Sequence, residues 1–295
     1  MTAASPGTTW TVRDIIASAA EYLSSRGVDT VRLDAERMLA EVLGVGRMDL
    51  YVEYDRVVEE PERARLREFV RRRGSREPAQ YILGTAGFYG LELATDARAL
   101  IPRRETEMLV DRALEIARGR PVAALDLATG SGAVALALAS NLGRESGEGS
   151  RIVATDSSPE ALALAIANAE KLGLSERVRF VESDLFSALG EDEAFDVVAA
   201  NLPYVPTAEI ETLEPEVRDH EPRPALDGGP DGLGVMRACI AAAPPFVRPG
   251  GWMLMEVGAG QAEAVTALLS AAGFDTERPI RDPGGVDRVV QGRLP

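Results

Sequence analysis

The chain has a single cysteine, a single histidine and a single lysine, and each scarcity removes a class of chemistry. Cys239 alone forms no intrachain disulfide. With His220 as the only imidazole, neither a cysteine-rich nor a histidine-rich ligand set is available, so no metal is expected. His220 reads as a polar loop residue. No apolar run approaches the roughly 20 residues that span a bilayer, and nothing near the N-terminus joins a basic flank to an apolar stretch. A cytoplasmic protein without a membrane partner is therefore expected. Positive charge is short as well: 32 Lys and Arg against 47 Asp and Glu leave a formal charge of -15. An electrostatic grip on nucleic acid needs a basic face that displaces counterions, so a protein partner is expected instead. With Lys171 as the sole lysine, arginine carries nearly all positive charge, which reads as coding bias.

What is present is ordinary globular material: 295 residues at 45% hydrophobic composition, enough for one large or two modest domains. The start through Gly7 reads as disordered. Residues 11–25 then bury Val12, Ile15, Ile16, Ala19 and Leu23 on one helical face, with Thr11 and Asp14 placed as a cap. Further helices are expected over 33–43, stopping at Gly44, and from Pro61 to Arg73. Together they make a small helical domain, 1–83. Its basic cluster Arg71, Arg72, Arg73 and Arg76 reads as a solvated helix end, with partner docking as the alternative. Residues 84–100 suggest a hairpin linker. In the remainder, 101–295, a helix reaching Arg118 is followed by alternating strands and helices, the order of a doubly wound parallel sheet.

Chemistry gathers where those strands end. Asp126-Leu127-Ala128-Thr129-Gly130-Ser131-Gly132 is a strand-to-helix turn of small residues, where a backbone can approach a ligand closely. Its spacing is not the dinucleotide fingerprint. One strand later Asp156 is placed to accept from two ribose hydroxyls. After the third strand, Asp184 offers a carboxylate to an adenine amino group, with Leu185 and Phe186 as apolar atoms for the ring. A nucleoside carrying no phosphate suits this set, and S-adenosylmethionine fits that description. An acidic residue after a strand can also be a plain helix cap.

The apolar run 195–199 ends in Ala200-Asn201-Leu202-Pro203-Tyr204, placing Asn201 at a strand's C-terminal edge, where ligands bind in open α/β sheets. The Asn201 side-chain carbonyl and the Leu202 backbone carbonyl can both face one planar NH2 group, with Tyr204 against its face and Pro203 stiffening the loop. Asn201, Leu202, Pro203 and Tyr204 are thus the candidate catalytic and substrate-binding residues. Asn201 joins Ala128, Thr129, Gly130, Ser131, Gly132, Asp156, Asp184 and Leu185 in contacting the cofactor. The plainer alternative is a strand-ending turn packed on a tyrosine.

These stretches, with Leu33-Asp34-Ala35-Glu36, residues 77–84, Ile101-Pro102-Arg103-Arg104-Glu105-Thr106-Glu107, residues 221–229, Glu256-Val257-Gly258 with Gln261, and Asp287-Arg288-Val289-Val290, resemble the peptide chain release factor glutamine N5-methyltransferases, the PrmC/HemK family. The resemblance implies an α/β class I S-adenosylmethionine-dependent methyltransferase, Rossmann-like with a seven-stranded sheet, behind a small helical substrate-docking domain. It implies S-adenosyl-L-methionine as donor and the glutamine of the Gly-Gly-Gln motif of class I peptide chain release factors as acceptor. A monomer is expected. Two positions depart from the family's pattern. Ala128 replaces a usual Gly, tolerable only at negative φ, and Leu202 replaces the first Pro, which should loosen the loop. Three rivals stay open: a glutamine methyltransferase of a ribosomal protein, an amino-group methyltransferase of nucleic acid, and a binding-only protein without turnover.

Overall fold

A computed structural model describes residues 9–145, 149–190 and 192–295; the start through Gly7 lies outside them. The described chain forms two compact units, one of residues up to Gly84 with Glu214–His220, the other Thr85–Leu213 with Glu221–Pro295.

The first unit is helical: α1 (Val12–Ser24), α2 (Val31–Leu43), α3 (Asp49–Val52), α4 (Glu60–Gly74) and α5 (Ala79–Leu83). The short α3 and α5 carry no periodic signal of their own. A reciprocal cap starts α1, Asp14 N donating to Thr11 Oγ1 at 3.4 Å and Thr11 N to Asp14 Oδ2 at 3.2 Å. The apolar stripe read from its spacing is buried. The arginine cluster differs from its expected solvated form. Arg73 is 6% exposed and donates to Asp34 Oδ2 at 2.8 Å and Glu216 Oε1 at 2.6 Å. Arg76 donates to Glu216 and Glu214, and Arg71 and Arg72 pair with Glu68 and Glu77. Partners 140 residues away in sequence are invisible to a local reading of charge. Removing Arg73 would strand Asp34 as a buried charge, a loss of about 3–5 kcal/mol.

The second unit opens with the hairpin β1 (Thr85–Phe88) and β2 (Leu91–Ala94), turned at Tyr89 and Gly90, both at positive φ, as a two-residue hairpin turn requires. The hairpin is not a free linker, because Asn168 accepts from Ala94 N at 2.6 Å and donates to Ala94 O at 3.0 Å. There follow α6 (Glu107–Ala117), β3 (Ala123–Leu127), α7 (Ala133–Glu145), β4 (Arg151–Asp156), α8 (Pro159–Leu172), β5 (Val178–Glu182) and β6 (Phe195–Ala200). After the helix α9 (Pro215–Arg218), which belongs to the first unit, come α10 (Gly234–Ala242), β7 (Val247–Glu256), α11 (Ala262–Ala271), β8 (Asp275–Thr276), β9 (Ile280–Arg281) and β10 (Asp287–Arg293).

The sheet runs β5-β4-β3-β6-β7-β10-β8, with β9 also on β10. Neighbours from β5 to β7 pair parallel, but β10 pairs antiparallel with β7. The sheet is therefore mixed, not wholly parallel as expected. β10 is the returning arm of a hairpin begun by β8 and β9, so it must run against them. Residues of β6 alternate between two cores from Val197 on: Val197 and Ala199 join Leu109 and Leu136 on one face, while Val198 and Ala200 join Met236, Cys239 and Val265 on the other, with Phe195 brought to that second face by a register shift before Val197. That period of two leaves the strand ends, not their faces, free for chemistry.

Candidate active site

The C-terminal ends of β3, β4 and β6 open into one cavity of about 330 Å³, within the usual range for small-molecule sites. Its floor is the turn after β3. Ala128 lies at φ +57, not at the negative φ expected of it. The left-handed step brings Thr129 N to Thr155 O at 2.9 Å and aims Gly130 N at Asp156 Oδ2, 2.8 Å away. A residue with a Cβ holds that conformation at a cost of roughly 1–2 kcal/mol. Beneath the turn, Asp126 Oδ2 accepts from Thr129 Oγ1 at 2.6 Å and Ala135 N at 3.0 Å. Burial pushes its carboxyl up to about 7, with Asp156 adding and the two hydrogen bonds opposing.

Asp156 is fixed from both sides, since its Oδ1 accepts from Ser158 N at 2.9 Å. A carboxylate has lone pairs to spare beyond two such bonds. Thr129, Gly130, Ser131, Asp184 and Leu185 line the same cavity. Gly132 does not: it lies at φ +85, where a Cβ would meet Leu136 Cδ1 at 3.0 Å and Ala165 Cβ at 3.1 Å. Phe186 also stays out of it, stacked on Phe246 with ring centroids 4.7 Å apart.

Across the cavity stand Asn201, Leu202 and Pro203. Asn201 Nδ2 donates to Thr106 Oγ1 at 3.1 Å, and Thr106 Oγ1 donates to Glu256 Oε2 at 2.6 Å. No described residue donates to Asn201 Oδ1. Glu256 is 2% exposed; burial pushes it up to about 7, with Glu105 adding and Thr106, Arg288 and Arg103 opposing. Leu202, expected to loosen the loop, is buried in the core and ties it down from inside. Tyr204 is not a cavity residue. Burial, and next the charge of Glu256, push its phenol up to about 12, and its carbonyl accepts from Gln261 Nε2 at 2.9 Å. A Cβ on Gly232 would sit 2.3 Å from that carbonyl, so the close approach requires glycine. Val205 N donates to Leu226 O and Gly228 N to Val205 O, each at 2.9 Å, holding the loop to the segment read in sequence only as a shared motif.

Residues 14–84 match the PrmC N-terminal domain family and residues 120–256 a methyltransferase domain family. A release factor glutamine methyltransferase of Geobacter sulfurreducens is 45% identical over 285 residues, covering 97% of both chains. The chain belongs to the release factor glutamine methyltransferase family. Another family member, from Caulobacter vibrioides, is 40% identical over 276 residues and 93% of both chains. A methyltransferase from Pyrococcus furiosus, 17% identical, shares the fold at TM-score 0.52, over 69% of this chain and 89% of its own.

The cofactor of class I methyltransferases is S-adenosylmethionine, and the residues present fit it. A close-approach turn, a fixed carboxylate at Asp156, a further carboxylate at Asp184 and apolar Leu185 surround a cavity holding no phosphate-binding glycine fingerprint. Sequence reading of this family member missed Thr106, Glu256 and Gln261 as supports of the Asn201 loop. All three lie in motifs that were visible, but nothing local links residue 106 or 256 to residue 201. The usable signal was a threonine at a helix start between two glutamates, which burial would make a hydroxyl relay and not a cap.

Proposed function

We propose that this protein methylates the side-chain amide nitrogen (N5) of the glutamine in the Gly-Gly-Gln motif of class I peptide chain release factors, with S-adenosylmethionine as donor. The reading is carried by one observation: Asn201, its NH2 already bound to Thr106, shares a cavity with the turn after β3 and Asp156. That leaves Asn201 Oδ1 and the Leu202 main-chain carbonyl to accept both N–H groups of a planar amide. Ala128, Thr129, Gly130, Ser131, Asp156, Asp184 and Leu185 hold the cofactor. The helical domain, 1–83, docks the protein substrate, and the enzyme works in the cytoplasm as a monomer.

The chemistry supplied by bound S-adenosylmethionine is an electrophilic methyl group on a sulfonium. An amide nitrogen is a weak nucleophile because its lone pair is delocalised into the carbonyl. Two fixed acceptors orient it and stabilise the positive charge that grows as it bonds to carbon, through positioning and preorganised dipoles. The methyl–sulfur bond would break as the nitrogen–carbon bond forms, leaving a neutral thioether, and the nitrogen, now acidic, would give its proton to solvent. Incubating the protein with labelled donor and purified class I release factor, then sequencing by mass spectrometry, tests this. One methyl on the glutamine of Gly-Gly-Gln is expected. Label on a ribosomal protein or nucleic acid and none on the release factor would overturn the reading.

A further inference from the structure

We infer that Thr106 and Glu256 are positioning residues that decide which end of the Asn201 amide faces the cavity. The inference rests on the proposed role of Asn201 as acceptor of the substrate amide. An asparagine amide has a carbonyl end and an NH2 end of nearly equal shape, and only the carbonyl end can accept an N–H. Something must choose between them.

The choice is made by a chain of hydrogen bonds with one polarity. With its carboxyl ionised, Glu256 only accepts, and Oε2 then takes the Thr106 hydroxyl proton, the two oxygens being 2.6 Å apart. A hydroxyl has one proton; having spent it, Thr106 Oγ1 can only accept, and it meets Asn201 at 3.1 Å. The NH2 must therefore face Thr106 and the carbonyl must face the cavity. Thr106 occupies the N-cap position of α6 yet makes no capping bond to that helix, although a threonine there commonly does. Its hydroxyl is committed elsewhere. Both residues are buried, Thr106 at 5% and Glu256 at 2% exposure, so water does not substitute for either link. The charges facing Glu256 are Glu105, Arg103 and Arg288, and burial pushes it up to about 7, so the relay has this polarity in the ionised form, at pH above that value.

The test is a double-mutant cycle on the full-length protein, with labelled S-adenosylmethionine, intact class I release factor, and cofactor Kd measured by calorimetry. Thr106→Val keeps the shape and removes the hydroxyl; it should lower kcat about three- to tenfold, the scale of one neutral hydrogen bond, with cofactor Kd unchanged. Thr106→Ser should restore kcat. Glu256→Gln, which can donate as well as accept, should lower kcat like Thr106→Val. In an Asn201→Ala background Thr106→Val should lower kcat no further, because its effect passes through Asn201. An equal loss in both backgrounds, or wild-type kcat in Thr106→Val while Asn201→Ala is impaired, overturns the relay alone. Wild-type kcat in Asn201→Ala overturns the amide-acceptor reading beneath it.

Discussion

The turn after β3 and the loop after β6 end neighbouring strands and face one cavity, yet they are built from different materials. The first is backbone: a left-handed Ala128, two main-chain N–H groups on Asp156, and a buried Asp126 gathering Thr129 and Ala135. Its hydrogen bonds span at most 37 residues, the longest from Asn168 Nδ2 to Ser131 O. The second is held by side chains and segments from afar, Thr106 at 95 residues' separation and Gln261 at 57. A backbone cradle gives shape to whatever sits in it, whereas a side-chain relay gives direction to one polar group. The first suits holding a cofactor and the second orienting an acceptor.

The sharpest way to break this contrast is Asn201→Ala. Loss of a preorganised acceptor should lower kcat on the order of 10² to 10³, taking oxyanion-hole donors as the scale, with cofactor affinity intact by calorimetry. On the cradle side, Asp156→Ala should weaken cofactor binding by roughly 1–3 kcal/mol, and titration calorimetry with a folded variant reads it. A smaller effect separates buried carboxylates from exposed ones. Asp126 and Glu256 have folded values raised to about 7, so their stabilising contribution is complete below their unfolded values near 4 and fades as pH rises towards 7 and above. Asp126→Asn should flatten that decline in thermal-melt midpoint between pH 4 and 7. The smallest effect is expected from Ala128→Gly. Relief of left-handed strain exceeds the added entropy of the unfolded chain, and the net gain should be about 0.5–1 kcal/mol by denaturant titration.

How much could be read in advance follows the same division. The α1 cap and stripe, the strand ends at Asp156 and Ala200, and the small-residue turn were legible because their causes lie within a few residues of them. The sign of φ at Ala128 was not, since it depends on where Thr155 O and Asp156 sit after β4 has paired. The burial of Arg73 depends on Glu216, 143 residues away. The antiparallel β10 was hidden because β8 and β9, two residues each, are too short to show a period.

The contrast is tested most directly by measuring two quantities on two variants side by side: single-turnover methyl transfer to an intact release factor at saturating cofactor, and cofactor Kd, for Asn201→Ala and Asp156→Ala. The account predicts a crossed result, with Asn201→Ala losing rate at unchanged Kd and Asp156→Ala losing affinity while retaining most of its rate once saturated. If Asn201→Ala instead loses affinity and keeps its rate, the loop after β6 holds the cofactor and does not orient the acceptor.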